Sequence, residues 1–412
     1  MQIFKFGGAS VKNADAVRNL KTILEKNHKG PLAVVISAMD KTTNKLEELL
    51  QLAQSGKSFE SEFNWLKSFH DNIAIELFGR NSERCDKFFE TLHNNLGSAK
   101  DLSWVRAYDQ VVPFGELFST SIIADFLGDT LPVQWMDARE IIITDEFHTE
   151  ANIKWELTQN NVDKLLAPVT KDKIVVTQGF IGSTESGATT TLGREGSDFT
   201  GAILANCLDA ENFTVWKDVP GILNADPKLR NDTVQFSQLS YREATEMTYY
   251  GASVIHPKTL RPIAQKQIPL IVRSFVIHDA PGTKIGSMHS EKPISTFIFK
   301  ENQLLITAEV KDHSFMDEKR LSIILNALDK LNVKINLMQN SALTFSFCMD
   351  NKAHKLEPII EALSPDFTVS YNRPLKLTTV KNYNEKVLSE LPISDEVVLE
   401  QKTRSTYQVL YR

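Results

Sequence analysis

Residues 191–201 read TLGREGSDFTG and place an arginine, a glutamate, an aspartate and three glycines directly before an apolar run, AILANCL. Glycine permits positive φ and a close approach of backbone to a ligand, and a helix starting at Ser197 or Asp198 would aim its free N–H groups into this loop. Such a loop suits an anion. An ordinary capped helix accounts for the same residues, because Ser and Asp are favoured N-caps and acidic side chains complement the helix dipole. Taken alone, the loop leaves both readings open.

Four further stretches carry polar, turn-forming residues at strand ends. KFGGAS (5–10) is a glycine pair between a strand and a helix, with Lys5 adding a positive charge from the strand end, a geometry suited to phosphate. It lacks the GxxxxGK(S/T) spacing of a Walker loop, so it is another nucleotide-handling arrangement or only a tight turn. ISAMDKTTN (36–44) offers the hydroxyls of Ser37 and Thr43, residue types that also cap helices. In PFGELFST (113–120), Glu116 sits at a helix start, where the dipole or a ligand ammonium would each explain it. WKDVPGILNADPK (216–228) is a strand end followed by turns at Pro220-Gly221 and Asp226-Pro227. Five such loops converge along one edge of an open α/β sheet, where folds of that class bind ligands.

The elements that must hold these loops show in the patterning. QIFKF (2–6), LAVVI (32–36), PVQWM (132–136), KIVVTQGFI (173–181), FTVWK (213–217) and PLIVRSF (269–275) are β-rich runs alternating with helical patterns up to about residue 290, the rhythm of an α/β sheet. Leu46, Leu49, Leu50 and Ala53 keep i, i+3, i+4, i+7 spacing before Gly56, and residues 44–110 read as an inserted helical lobe. Its aromatic segment FNWLKSFH (63–70) reads as a core stripe without chemistry. After PGTKIG (281–286), residues 303–371 run strand, helix, strand, strand, helix, strand, one complete βαββαβ unit. A partial echo follows in LKLTTV (375–380), a short helix near 384–391 and the strands EVVLEQKTR and TYQVLYR, without a second helix or last strand. The expected domains are 1–290, 300–372 and 373–412.

With 412 residues, 42% of them hydrophobic, the chain has material for more than one core. A net charge of −6 without a dominating Lys/Arg run offers nothing to nucleic acid or a membrane surface. Cys85, Cys207 and Cys348 are odd in number and far apart, without CxxC spacing; they fit reduced, buried thiols. No metal-ligating set stands out. The opening MQIFKFGG reads as a strand and turn rather than a signal sequence, and no apolar run approaches membrane-spanning length, so a cytoplasmic protein is expected.

KFGGAS, GELFSTS, WMDAREIIITD, QGFIGSTESGATTTLGREGSDFTGAILA, WKDVPGILNADPK and GASVIHPKTL occur in an order that resembles the aspartate kinases, enzymes that use ATP to phosphorylate the side-chain carboxylate of L-aspartate. The resemblance covers residues 1 to about 290, and 303–371 resembles the first ACT domain that follows the kinase, best in VKINLMQNSALTFSFCMD. It implies the amino-acid kinase fold, an open and largely parallel sheet sandwiched by helices, followed by a ferredoxin-like α+β ACT region. It further implies formation of 4-phospho-L-aspartate from ATP with Mg²⁺, the first step toward lysine, threonine and methionine, by a homodimer joined through the ACT region. A same-fold kinase of glutamate or another acidic metabolite, and an inactive amino-acid-binding regulator, are the alternatives.

Residue by residue, the resemblance implies that Arg194 holds a carboxylate of aspartate beside Gly196 and Ser197, that Glu116 takes the substrate ammonium, and that Ser37 and Thr43 line the aspartate pocket. Lys5 would neutralise charge on the phosphates and Asp198 would organise the site around the transferred group. Gly7, Gly8, Lys217, Asp218, Leu223, Lys228 and Ser253 fall on the nucleotide side. No general base is required, because the attacking carboxylate is ionised at neutral pH. The chain departs from the family pattern at Ser253, where lysine is frequent near the phosphates, and Lys217, a common threonine position, is read as restoring that charge. Ala9, Leu223 and Lys228 replace a frequent threonine, tyrosine and arginine. In the ACT region the turn HSFMDEKRLS lacks the family's glycine and Asn336 stands where aspartate is often found, so weak or absent inhibition by lysine and threonine is expected. His256 reads as a helix-side structural residue.

Overall fold

The computed structural model describes the chain apart from residues 253–254, 289–293, 313, 392 and 394–395. It forms two compact units: the first holds Met1–Ile222, Gln235–Thr245 and Val254–Ser290, the second Leu223–Val234, Glu246–Ser253 and Glu291–Arg412. Two short stretches within 1–290 thus pack with the C-terminal residues.

The first unit is built on an eight-stranded sheet in the spatial order Val133–Met136, Ile174–Gln178, Leu32–Ile36, Gln2–Phe6, Asn212–Lys217, Leu270–Ser274, Thr283–Gly286, Gln238–Ser240. Every pair is parallel except Leu270–Ser274 with Thr283–Gly286. LAVVI is buried along its whole length, as a central strand covered by helices on both faces must be, which is why it reads as a continuous apolar run rather than an alternating one. KIVVTQGFI is not one strand. It divides into Ile174–Gln178 in the large sheet and Ile181–Thr184, which joins Ile143–Thr144 and Thr189–Thr191 in a separate three-stranded sheet. The break falls where a Cβ on Gly179 would lie 2.4 Å from Ser197 Cβ and where Phe180 takes φ 71; a straight strand does not fit under the first turn of the helix Gly196–Cys207.

The segment after Leu32–Ile36 carries the helices Thr42–Gln54, Glu60–Phe78, Glu83–Ser98 and Trp104–Val111, followed by Phe114–Gly128. Within FNWLKSFH, Phe63, Leu66 and His70 are buried, whereas Trp65 is 55% exposed and stacks on Phe69. Trp104–Gly128 is, among the described residues, long and apolar enough by composition to cross a membrane, contrary to the expectation that no such run exists; 83% of its apolar window is buried inside the protein. Two of its hydroxyls are satisfied within the helix: Thr120 donates to the Glu116 carbonyl and Ser121 to the Leu117 carbonyl. Cys85, Cys207 and Cys348 are free and buried.

The second unit is a six-stranded antiparallel sheet in the order Leu337–Asn340, Thr344–Asp350, Thr296–Val310, Phe367–Lys381, Thr406–Tyr411, Val397–Lys402. Thr296–Val310 and Phe367–Lys381 are each 15 residues long. Their inner parts pair as Gln303↔Leu375 and Val310↔Phe367, beside the helices Glu318–Lys330 and Ala353–Leu363; their outer parts pair as Thr296↔Lys381 and Lys300↔Leu377, beside Thr406–Tyr411. The C-terminal half therefore takes one strand from Thr296–Lys300, upstream of the first half, instead of lacking it. Among the described residues its helix is the short Glu385–Ser389. A polar knot links the sheet: Asn336 Nδ2 donates to Gln303 Oε1 (2.8 Å) and Asp350 Oδ1 (2.9 Å), and Lys300 Nζ lies 3.0 Å from both Asn336 Oδ1 and Asp350 Oδ1.

Candidate active site

Parallel register brings the loops together. Phe6 lies opposite both Ile36 and Trp216, and Ile36 opposite Gln178, so the chains leaving these four strands emerge side by side at the C-terminal edge of the sheet, the edge at which such folds bind ligands. A cavity of about 780 Å³ opens there. Gly7 and Gly8 line it from the first loop; a Cβ on Gly8 would sit 2.7 Å from the Ala38 carbonyl oxygen, so the first two loops touch only because residue 8 has no side chain. Ser37 and Thr43 line it from the second loop, Lys217 and Asp218 from the end of Asn212–Lys217.

Gly196–Cys207 is a helix whose cap position, Glu195, is left-handed (φ 56) and makes no side-chain capping bond. The expectation of a Ser or Asp cap fails: both lie inside the first turn, and Gly196, Ser197 and Asp198 face the cavity. Glu195 instead accepts from the His256 backbone N–H (3.0 Å), and the His256 ring accepts from the Lys258 N–H at the start of Pro257–Gln265.

The charges are concentrated at the cavity floor. Lys5 Nζ is 2.7 Å from Asp198 Oδ1 and Lys217 Nζ is 3.7 Å from Asp198 Oδ2. Burial alone would push the Asp198 carboxyl up, but the charges of Lys5 and then Lys217 outweigh it and hold the group below the usual carboxylate range. Glu116 lines the cavity from the first turn of Phe114–Gly128 and is 4% exposed. Its Oε1 accepts the Ala38 N–H (3.1 Å), whereas its Oε2 is buried without a hydrogen-bond partner. Burial drives its carboxyl up to about 8, against the weaker pull of the Ala38 N–H and the Lys5 charge. Arg194 is exposed and has no ion pair among the described residues. A buried carboxyl oxygen lacking a partner and a guanidinium without an ion pair among the described residues, lining one cavity, are groups fit for a ligand that carries both an ammonium and a carboxylate.

Leu223 and Lys228 belong to the second unit and are not among the residues lining this cavity; the turns at Pro220-Gly221 and Asp226-Pro227 carry the chain into that unit. Ser253 is outside the described residues. Sequence reasoning missed another wall: Trp104, Val105 and Tyr108 from Trp104–Val111, Thr149 and Glu150, and Phe180 also line the cavity. Only the spacing of Trp104, Val105 and Tyr108 on one helical face signals it, and that spacing also marks an ordinary amphipathic helix.

A family model for the amino acid kinase family matches residues 1–274, and the chain belongs to that family. Within it the similarity is to aspartokinases. The chain is 30% identical to lysine-sensitive aspartokinase 3 of Escherichia coli K12, over 84% of this chain and 78% of that protein. It is 28% identical to bifunctional aspartokinase/homoserine dehydrogenase 1 of Arabidopsis thaliana, over 89% of this chain and 42% of that one, so it spans about two fifths of the length of such bifunctional relatives. The crystal structure of E. coli aspartokinase III in complex with aspartate and ADP matches it with a TM-score of 0.87 at 26% identity, covering 100% of this chain and 96% of that one. The fold is the amino-acid kinase fold followed by a ferredoxin-like ACT-type region.

Proposed function

We propose that this chain is an aspartate kinase, transferring the γ-phosphoryl group of ATP to the side-chain carboxylate of L-aspartate to give 4-phospho-L-aspartate and ADP. One observation carries the reading: the same cavity is lined by Glu116, with a buried carboxyl oxygen lacking a partner, by Arg194, without an ion pair among the described residues, by the Lys5–Asp198–Lys217 cluster and by a glycine pair. Aspartate offers an ammonium to the first and a carboxylate to the second, and a triphosphate answers the lysines. That E. coli aspartokinase III holds aspartate and ADP supports the same pairing.

In this reading Glu116 takes the substrate ammonium, Arg194 a carboxylate, and Ser37, Thr43, Gly196 and Ser197 complete the aspartate pocket. A side-chain carboxylate oxygen of aspartate attacks the γ-phosphorus; the bond from that phosphorus to the β,γ-bridging oxygen breaks and its electrons leave with ADP. No proton moves, because the nucleophile is already an anion. Lys5 meets the charge that spreads over the phosphoryl oxygens, Lys217 adds a second cation, and Asp198 holds both lysines in place between turnovers. Mg²⁺ would arrive on ATP and supply charge neutralisation, with the exposed Asp218 carboxylate placed to meet it. Assembly as a homodimer through the C-terminal sheet, a cytoplasmic setting and a role in lysine and threonine formation belong to the same proposal. Its edge strands carry exposed Met338 and Val397, which pairing with a second copy would cover.

A coupled assay of ADP release with aspartate, then with glutamate, tests the reading. ADP release dependent on aspartate is expected. Release with glutamate alone, or with neither, would sink it.

A further inference from the structure

Arg194 has no side-chain partner among the described residues, so where its side chain leaves the loop is set by its backbone. Gly193 before it and Glu195 after it are both left-handed (φ 74 and 56). A Cβ on Gly193 would lie 3.1 Å from Glu150 Cγ and 3.4 Å from the Thr149 carbonyl oxygen, so the loop 148–150 runs alongside the residue preceding Arg194 and leaves little room for a side chain there. That loop is itself in an uncommon state, because Thr149 takes φ 70, a conformation that costs a β-branched residue about 1–2 kcal/mol and persists only where the surroundings impose it.

Asp109 imposes it. Its side chain is completely buried in the helix Trp104–Val111. Oδ2 accepts from His148 Nδ1 (2.8 Å) and from the Thr149 N–H (3.1 Å), and Oδ1 accepts from the Thr191 hydroxyl (2.7 Å). Thr191 is also held from its other side, where its carbonyl accepts the Ala151 N–H at 2.9 Å. One carboxylate thus joins three elements: the helix whose Trp104, Val105 and Tyr108 face the cavity, the loop whose Thr149 and Glu150 face it, and the strand that ends two residues before Gly193. Burying a charge is costly unless donors surround it. A site needing only packing would be filled as well by an apolar side chain, whereas a network with every member satisfied fixes one arrangement.

We propose that Asp109 is a positioning residue for Arg194, tying the 148–150 loop and the Thr191 strand to the cavity-wall helix so that the guanidinium is held at the aspartate end of the site. The proposal rests on the reading of Arg194 as the residue that holds a substrate carboxylate. It predicts that losses at Asp109 act through Arg194 and spare the nucleotide.

Asp109→Asn, Thr191→Val and Arg194→Lys would be made in the full chain, singly and with each of the first two combined with the third, and aspartate and ADP binding measured by calorimetry beside thermal melts. Asp109→Asn is expected to weaken aspartate binding about tenfold, the scale of one lost charged hydrogen bond, with ADP binding unchanged. Thr191→Val, which keeps the side-chain shape and removes one donor, should show the same split at smaller size and serves alone if Asp109→Asn does not fold. Neither should add to the loss in Arg194→Lys. Equal losses for aspartate and ADP, full additivity with Arg194→Lys, or unchanged aspartate binding in Asp109→Asn and Thr191→Val would each overturn the proposal. Unaltered aspartate binding in Arg194→Lys alone would instead overturn the reading beneath it, and the proposal would fall with it.

Discussion

The molecule contains two clusters in which lysine, carboxylate and amide groups meet, and they differ in how far they are satisfied. In the cavity, Glu116 keeps a buried oxygen without a partner and Arg194 has no ion pair among the described residues. In the C-terminal sheet, Asn336, Gln303, Asp350 and Lys300 answer one another. There burial pushes the Asp350 carboxyl up, but hydrogen bonds from Gln303 and Lys300 outweigh it and leave the group below its ordinary range; at Glu116 burial prevails and lifts the carboxyl to about 8. The first arrangement is unfinished without a ligand. The second supplies its own ammonium, at Lys300, beside the asparagine that stands where the resemblance led us to look for an acid.

The largest way to break the comparison is at Arg194. Arg194→Ala should lower kcat/KM for aspartate by about 10³-fold, the scale of removing one partner of a desolvated charge pair, with ATP binding nearly unchanged; parallel loss of nucleotide binding would show that the two ends of the cavity have been confused. Next in size, Lys5→Ala should leave both ligands bound and slow the transfer step by about 10² to 10³-fold, as expected for one preorganised charge partner. Single-turnover transfer at the unsubstituted rate would refute that.

Glu116 sharpens the comparison through pH. With its carboxyl near 8 in the free protein, the group holds its proton at neutral pH, and a substrate ammonium beside it lowers that value. Aspartate binding at pH 7 should therefore release a proton, and affinity should rise with pH until the free carboxyl is itself ionised, above about 8. Calorimetry in two buffers of different ionisation enthalpy reads this directly; Glu116→Gln should bind aspartate more weakly and release none. Buffer-independent heats in the unsubstituted protein would count against the assignment.

The smallest effect is expected at the satisfied cluster. Lysine and threonine, separately or together, should leave the kinase activity almost unaltered, and Lys300→Met, which removes the internal ammonium, should lower stability by only about 1 kcal/mol, because Asp350 is half exposed and water takes over for the lost cation. Strong inhibition at sub-millimolar effector would mean that the cluster opens.

Much of this was legible in the chain itself, for reasons that differ by region. Strands such as LAVVI declare themselves because burial on both faces leaves only apolar residues, and the glycine loops are visible because close backbone contact, as between Gly8 and Ala38, tolerates no side chain. Long-range contacts were not legible. The break in KIVVTQGFI depends on Ser197 crowding Gly179, and the assignment of Leu223–Val234 to the second unit depends on contacts with residues far along the chain. Asp109 is one acidic residue in an amphipathic helix until His148, Thr149 and Thr191 are brought to it from 39, 40 and 82 positions away.

The paired 15-residue strands of the C-terminal sheet have a consequence for how that unit is put together. Its two halves are nested rather than set in tandem: the outer half opens at Thr296–Lys300, is interrupted by the inner half, and resumes at Leu377–Lys381 to run on through Val397–Lys402 and Thr406–Tyr411. Because Lys300 and Leu377 are direct cross-strand partners, the enclosed half begins and ends at the same place, and deleting it would leave a gap that a tight turn spans, at little cost in closure entropy. Each half has a core of its own, around Phe297, Val380, Tyr407, Val409 and Tyr411 in the outer and around Ile306, Ile324, Phe347 and Ile359 in the inner, but a third cluster, in which Leu305, Leu337 and Cys348 pack with Leu377, Leu399 and Leu410, joins the two. Excising the inner half would thus leave the strand order of the outer one in place and bare the apolar side of Leu377, Leu399 and Leu410 to water.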